Sequence, residues 1–208
     1  MDENKTGWQG VFTIYPIRKL GKGCILPGVM MLFSGVAYFF SEADALSLMQ
    51  KVSYFITSGF PSIIGFVLTG YALLIGFSGT ELFGGMARSS VDNKGHSYFQ
   101  LVNSIFAVVL GIVVLTYIVG CVIDLVISME IEWPCFKGYK WFNNIVLFAL
   151  LFLFYYSIFA LVDIIVNIFN IGQYANAIAQ NKNTTEEENK KKPFIIRVLR
   201  YIFSSLLD

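Results

Sequence analysis

Two carboxylates, Asp124 and Asp163, stand inside long apolar runs and have the strongest claim to chemistry in this chain. An acid in hydrocarbon is costly, so it persists where it is paired, hydrogen-bonded or used to move a proton or ion. Depth separates the two. Asp124 falls close to one end of its run, at a level where headgroups and water reach it, and a structural role is enough to explain it. Asp163 lies deeper, in the opposite half of the membrane. Asn103, Ser104 and Tyr71 stand at a similar level on neighbouring runs, and Asn167 follows Asp163 by one helical turn. Asp163, Asn167, Asn103 and Tyr71 therefore form a candidate polar cluster. It would serve as a structural hydrogen-bond network, as a proton or ion site, or as a polar contact between subunits.

Other chemistries find little material. His96 is the sole histidine, and the cysteines Cys24, Cys121 and Cys135 have no C-x-x-C spacing. Neither H-E-x-x-H, G-x-S-x-G nor a P-loop is present. With no metal-ligand set and no nucleophile–base pair, the reading is a protein that is not an enzyme, with no cofactor and no metal. No match between the two halves suggests the internal repeats of a secondary transporter. Direct nucleic-acid binding is not expected either.

The elements that position these residues follow from hydropathy. Residues 23–41, 52–77, 99–129 and 141–171 are four apolar runs. Each reaches about the 20 residues a helix needs to cross a hydrocarbon core of about 30 Å. The chain is 56% hydrophobic and only 14% charged, which leaves no segment able to build a separate soluble domain. The expected fold class is an all-α membrane protein of four transmembrane helices, with a short amphipathic C-terminal helix. Residues 1–22 form an N-terminal interfacial segment, 23–180 the membrane domain and 181–208 a charged tail. The first run is longer than the apolar core of a signal peptide, so it is read as an uncleaved span.

Basic residues set the orientation. With four spans, the N-terminal stretch, the loop between the second and third runs, and the tail share one side, and they hold 12 of the 15 Lys and Arg. Lys51, Lys137 and Lys140 are left for the other side. Both termini are thus expected in the cytoplasm. Trp8, Phe12 and Tyr15 suggest that residues 8–20 lie along the inner membrane face.

Small residues mark close approach. Gly28 and Gly35 share a face of the first span. Gly65, Thr69 and Gly70 on the second give a small-x-x-x-small spacing, suited to packing within the chain or between copies in a homo-oligomer. Pro61 is expected to bend that span. Phe148, Phe152, Tyr155, Tyr156 and Phe159 on the fourth are read as lipid-facing bulk and helix packing.

In the tail, Glu186, Glu187 and Glu188 each stand four residues before Lys190, Lys191 and Lys192, the favourable order on a helix. After Pro193, residues 194–207 place Arg197, Arg200 and Ser204 on one face and apolar residues on the rest. Such a helix would lie on membrane lipids or dock a partner.

The run from Gly65 to Thr80, GFVLTGYALLIGFSGT, resembles small four-span membrane proteins of bacterial anti-phage loci, and the KwaA family of the two-gene Kiwa system in particular. The likeness extends to length, span number and cytoplasmic termini, and it carries no catalytic residue over. It implies a bacterial inner-membrane protein with a soluble cytoplasmic partner similar to KwaB. The expected function is a non-enzymatic sensor or scaffold. The alternative is a pore that itself depolarises the membrane.

Overall fold

A computed structural model describes residues 7–15, 17–76, 84–86, 96–129 and 140–185. Six helices account for most of them: α1 (Gly7–Ile14), α2 (Ile17–Gly23), α3 (Ile25–Phe39), α4 (Ala45–Gly76), α5 (Tyr98–Ser128) and α6 (Lys140–Thr185). Four segments are long and apolar enough to cross a membrane: Leu20–Phe39, Ala45–Gly76, Tyr98–Ser128 and Lys140–Gln173. The chain is thus a multi-pass helical membrane protein, as its hydropathy predicts.

Local chemistry sets the helix ends. Asp44 starts α4, its carboxylate accepting from the Leu46 amide at 3.2 Å. Ser97 and Gln100 form a reciprocal capping box at the start of α5, with bonds of 3.2 and 2.9 Å. Pro61 sits inside α4, which remains helical from Ala45 to Gly76. Within α6 the helix does not stop where hydropathy does. It continues for 46 residues to Thr185, past the boundary at 180 drawn from composition.

The bundle is a three-helix core with α3 applied to its outside. Helices α4, α5 and α6 all contact one another, and α4 against α5 is the most extensive pairing. Gly120 permits that pairing, because a Cβ there would fall 2.5 Å from Ile56 Cγ2. In the middle of α5 and α6, Thr116 and Ser157 share a hydrogen bond of 2.7 Å, and both side chains are fully buried. Around them Ile56, Val109, Val113 and Leu150 close the core with apolar surface. Helix α3 reaches this core through α6. A Cβ on Gly35 would lie 2.8 Å from the Phe148 ring. Ser34 bonds Tyr155 at 2.6 Å, and the Tyr38 hydroxyl donates to Asn144 at 2.9 Å. The other side of α3 is bare: Phe33 is 72% exposed, beside Ile25, Val29 and Val36. In a bilayer those side chains face acyl chains, which suits their chemistry.

Alternation of direction places the start of α3, the end of α4, the start of α5 and the end of the fourth span at one end, the basal end. Sequence analysis lays residues 8–20 along a membrane face. The short helix α1 instead packs on α5, with the Trp8 ring against Gly111, where a Cβ would meet Trp8 Cη2 at 2.9 Å. Gly111 is about 20 Å along α5 from its basal start at 1.5 Å per residue. A segment outside the four spans thus reaches the middle of a spanning helix.

Candidate functional site

The four members of the expected polar cluster do not converge as one set. Tyr71 on α4 donates its hydroxyl to Asn103 Oδ1 on α5, and its ring lies 5.7 Å from that of Phe106. This pair ties α4 to α5 near the basal end. Asn103 also lines a cavity of about 440 Å³ beneath α1, together with Trp8, Val11, Ile14 and Ser104. Asn167, which is buried, donates instead to the backbone carbonyl of Asp163 at 2.6 Å. That bond stays within α6 and restrains the helix one turn below the acid.

Asp163 belongs to a different cavity, built by the end of α1 and by α2, α3, α5 and α6. Its volume is about 210 Å³, and its polar lining is Tyr15, Lys22, Tyr156 and Asp163. The walls between them are apolar, among them Leu26, Val162 and Phe159. Each polar group arrives for a local reason. Tyr15 ends the turn after α1, its amide bonded to the Val11 carbonyl at 2.8 Å, and its side chain is only 5% exposed. Lys22 is in the last turn of α2, next to Gly23. Gly23 lies beside the Tyr156 ring, where a Cβ would make an ordinary contact at 3.7 Å. The Tyr156 hydroxyl then donates to the Leu20 carbonyl at 3.3 Å. Cys24 donates its thiol to the same carbonyl at 3.1 Å, so α2 passes into α3 with its sulfur engaged. Asp163 stands on the exposed side of α6.

Electrostatics agree with this arrangement. Burial, then the nearby Asp163 carboxylate and the Tyr156 hydroxyl, push the Tyr15 phenol up to about 12. Tyr15 therefore stays protonated at physiological pH and remains a hydrogen-bond donor into the cavity. Among the described residues, the cavity brings together Lys22, Asp163 and two phenols. Among the described residues no three His, Cys, Asp or Glu side chains gather as a metal site requires.

Sequence reasoning singled out Asp163 but missed its neighbours. Lys22 counted only as a topology charge, Tyr15 as an interface aromatic and Tyr156 as lipid-facing bulk and helix packing. Their common site depends on α3 lying against α6, a pairing that no spacing in the sequence encodes.

The other candidate residues stand apart. Among the described residues nothing packs on Gly65 or Gly70: a Cβ at either glycine would meet no atom within 4 Å. The Thr69 hydroxyl bonds back to the Gly65 carbonyl at 2.8 Å, and both residues lie on the exposed face of α4. Asp124 lies near the far end of α5, half-buried. Lys190, Lys191, Lys192, Arg197 and Arg200, and with them the expected amphipathic helix, lie outside the described residues.

Comparison with known proteins adds no relative: no family model matches the chain, and neither a curated protein nor a solved structure matches it.

Proposed function

We propose that this chain is a non-enzymatic scaffold and sensor of a bacterial inner membrane, with both termini in the cytoplasm. It would pass a disturbance of the bilayer to a soluble partner, as the likeness to the KwaA family suggests. The docking of α1 carries this reading. A helix that does not span is lodged against the middle of α5, with Trp8 over Gly111. Its seat depends on how the spans stand relative to one another. A change in bilayer thickness or tension that tilts α5 would move α1, and with it the cytoplasmic N-terminal segment. The apolar closure at mid-bundle, around Val109, Val113 and the Thr116–Ser157 pair, favours a scaffold over a pore within one copy. Copies are expected to associate through the Gly65–Thr69 face of α4, which none of the described residues covers.

The test combines two readouts. Cells expressing the chain with its neighbouring gene are challenged with phage, and purified protein is assayed for ion flux in liposomes. The reading expects protection without flux. It also expects truncation after Thr185 to leave membrane abundance intact while removing protection, because the basic tail would hold the partner. Full protection by a normally inserted truncation, or steady flux through the wild type, would replace the scaffold with the pore.

A further inference from the structure

We propose that the cavity between α1 and α5 binds an uncharged lipid whose head presents carbonyl oxygens, such as a diacylglycerol or a prenylated quinone. The assignment goes beyond the scaffold reading and does not depend on it. It needs only that α5 crosses a bilayer.

Size and depth come first. At about 440 Å³ the cavity falls within the roughly 300–1,000 Å³ of small-molecule sites. Helix α5 has 31 residues and is about 46 Å long at 1.5 Å per residue. Around a hydrocarbon core of about 30 Å, that leaves about 8 Å of α5 in the headgroup layer at each end. Gln100 and Asn103 stand about 3 and 8 Å from the basal start of α5, within that layer and at its boundary. Ala107 is about 14 Å along, and the Trp8 ring rests on Gly111 at about 20 Å, so the other end of the cavity lies in hydrocarbon. A polar end at the boundary and an apolar end among acyl chains suit a single amphiphile.

Hydrogen-bond accounting selects the head. The Gln100 side-chain carbonyl accepts from the Ser97 amide at 2.9 Å, and that of Asn103 accepts from the Tyr71 hydroxyl. Neither side-chain amide nitrogen has an acceptor among the described residues, and each carries two N–H donors. Ser104 donates its hydroxyl to the Leu101 carbonyl at 2.8 Å, so it can only accept. The polar end thus holds more donors than acceptors, all of them neutral, and a ligand head there must accept. Among the described residues no charged side chain lines the cavity. A phosphate or carboxylate would leave water without meeting a counter-ion, and an ammonium would find no carboxylate. Ester or quinone carbonyls accept N–H groups and bring no charge. Beyond them Val11, Ala107 and the Trp8 ring offer apolar surface to the lipid chain. Trp8 is 58% exposed, so the cavity opens beside α1 onto the surface that acyl chains would cover.

Native mass spectrometry of the full chain in detergent at pH 8 provides the test. The protein is titrated separately with a diacylglycerol, a prenylated benzoquinone, a fatty acid, an alkylamine and an alkane of matched length. We expect at least one of the two carbonyl lipids to bind about tenfold or more tightly than the other three ligands, the scale of two neutral hydrogen bonds. The tighter of the two identifies the source. Gln100→Glu keeps an acceptor for the Ser97 amide, and Asn103→Asp keeps one for Tyr71, while each removes the N–H donors. Each should weaken the carbonyl lipid by about threefold to tenfold and leave the alkane unchanged. Ala107→Phe should block binding by filling the cavity, and Asp124→Asn should change nothing. Retained helicity by circular dichroism shows that each variant is folded. Should the Asn103 variant unfold, Gln100→Glu decides alone, because it preserves the capping box. Equal binding of the alkane and both carbonyl lipids, or a preference that survives these donor removals, would overturn the proposal. Tightest binding of the fatty acid would also overturn it, by showing that the head is an anion.

Discussion

Removing the hydroxyl at Thr116 tests what holds α5 to α6 in the middle of the membrane. Thr116 Oγ1 lies 2.9 Å from its own Ile112 carbonyl and 2.7 Å from Ser157 Oγ. If Thr116 donates to Ile112, Ser157 must donate to Thr116. Both residues are fully buried, and no water reaches this depth to substitute. Thr116→Val keeps the shape and removes only the partner of Ser157. The freed Ser157 hydroxyl can turn to the Leu153 carbonyl, which already lies 3.5 Å from Thr116 Oγ1. Part of the loss is thereby recovered, so the single substitution should cost about 1 kcal/mol rather than the full price of a stranded polar group. A cycle of Thr116→Val, Ser157→Ala and the double variant should give a coupling of about 0.6 kcal/mol, the average for hydrogen bonds between membrane helices, and at most about 1.7 kcal/mol. Reversible unfolding by SDS titration in mixed micelles measures all four proteins. A coupling below about 0.3 kcal/mol, the scatter of independent sites, would mean that apolar packing alone joins these helices and that the pair is incidental.

Three further outcomes are expected. Gly120→Ala should destabilise the protein by about 1–3 kcal/mol in the same titration, because its new methyl would overlap Ile56, and Ile56→Ala should recover part of that loss. Gly65→Leu should leave that stability unchanged, since a Cβ there meets nothing among the described residues, but should lower the mass seen by light scattering; an unchanged oligomer would remove the proposed interface. Reporter fusions after Asp208 should be active only in the cytoplasm, and periplasmic activity would reverse the orientation drawn from 12 of the 15 basic residues.

Hydropathy alone determined the solvent, the number of crossings and their approximate limits, because burying an unpaired backbone in hydrocarbon leaves a helix as the simplest answer. The third run, 99–129, and α5, Tyr98–Ser128, differ by one residue at each end. The pairing of Tyr71 with Asn103 was also within reach, since depth could be counted from sequence on adjacent antiparallel spans. Which helix neighbours which was not legible, since lipid and protein are equally apolar and the pattern of Leu, Ile and Phe does not distinguish them. Only the tertiary structure put α3 outside the core against α6, which separated Asp163 from Asn103 and joined it to Lys22, Tyr15 and Tyr156. Glycine behaved the same way. Gly120 and Gly35 are points of contact and Gly65 is not, although all three are alike in sequence. The difference lies in the large side chain that a neighbouring helix presents opposite each of them, and that is a property of packing.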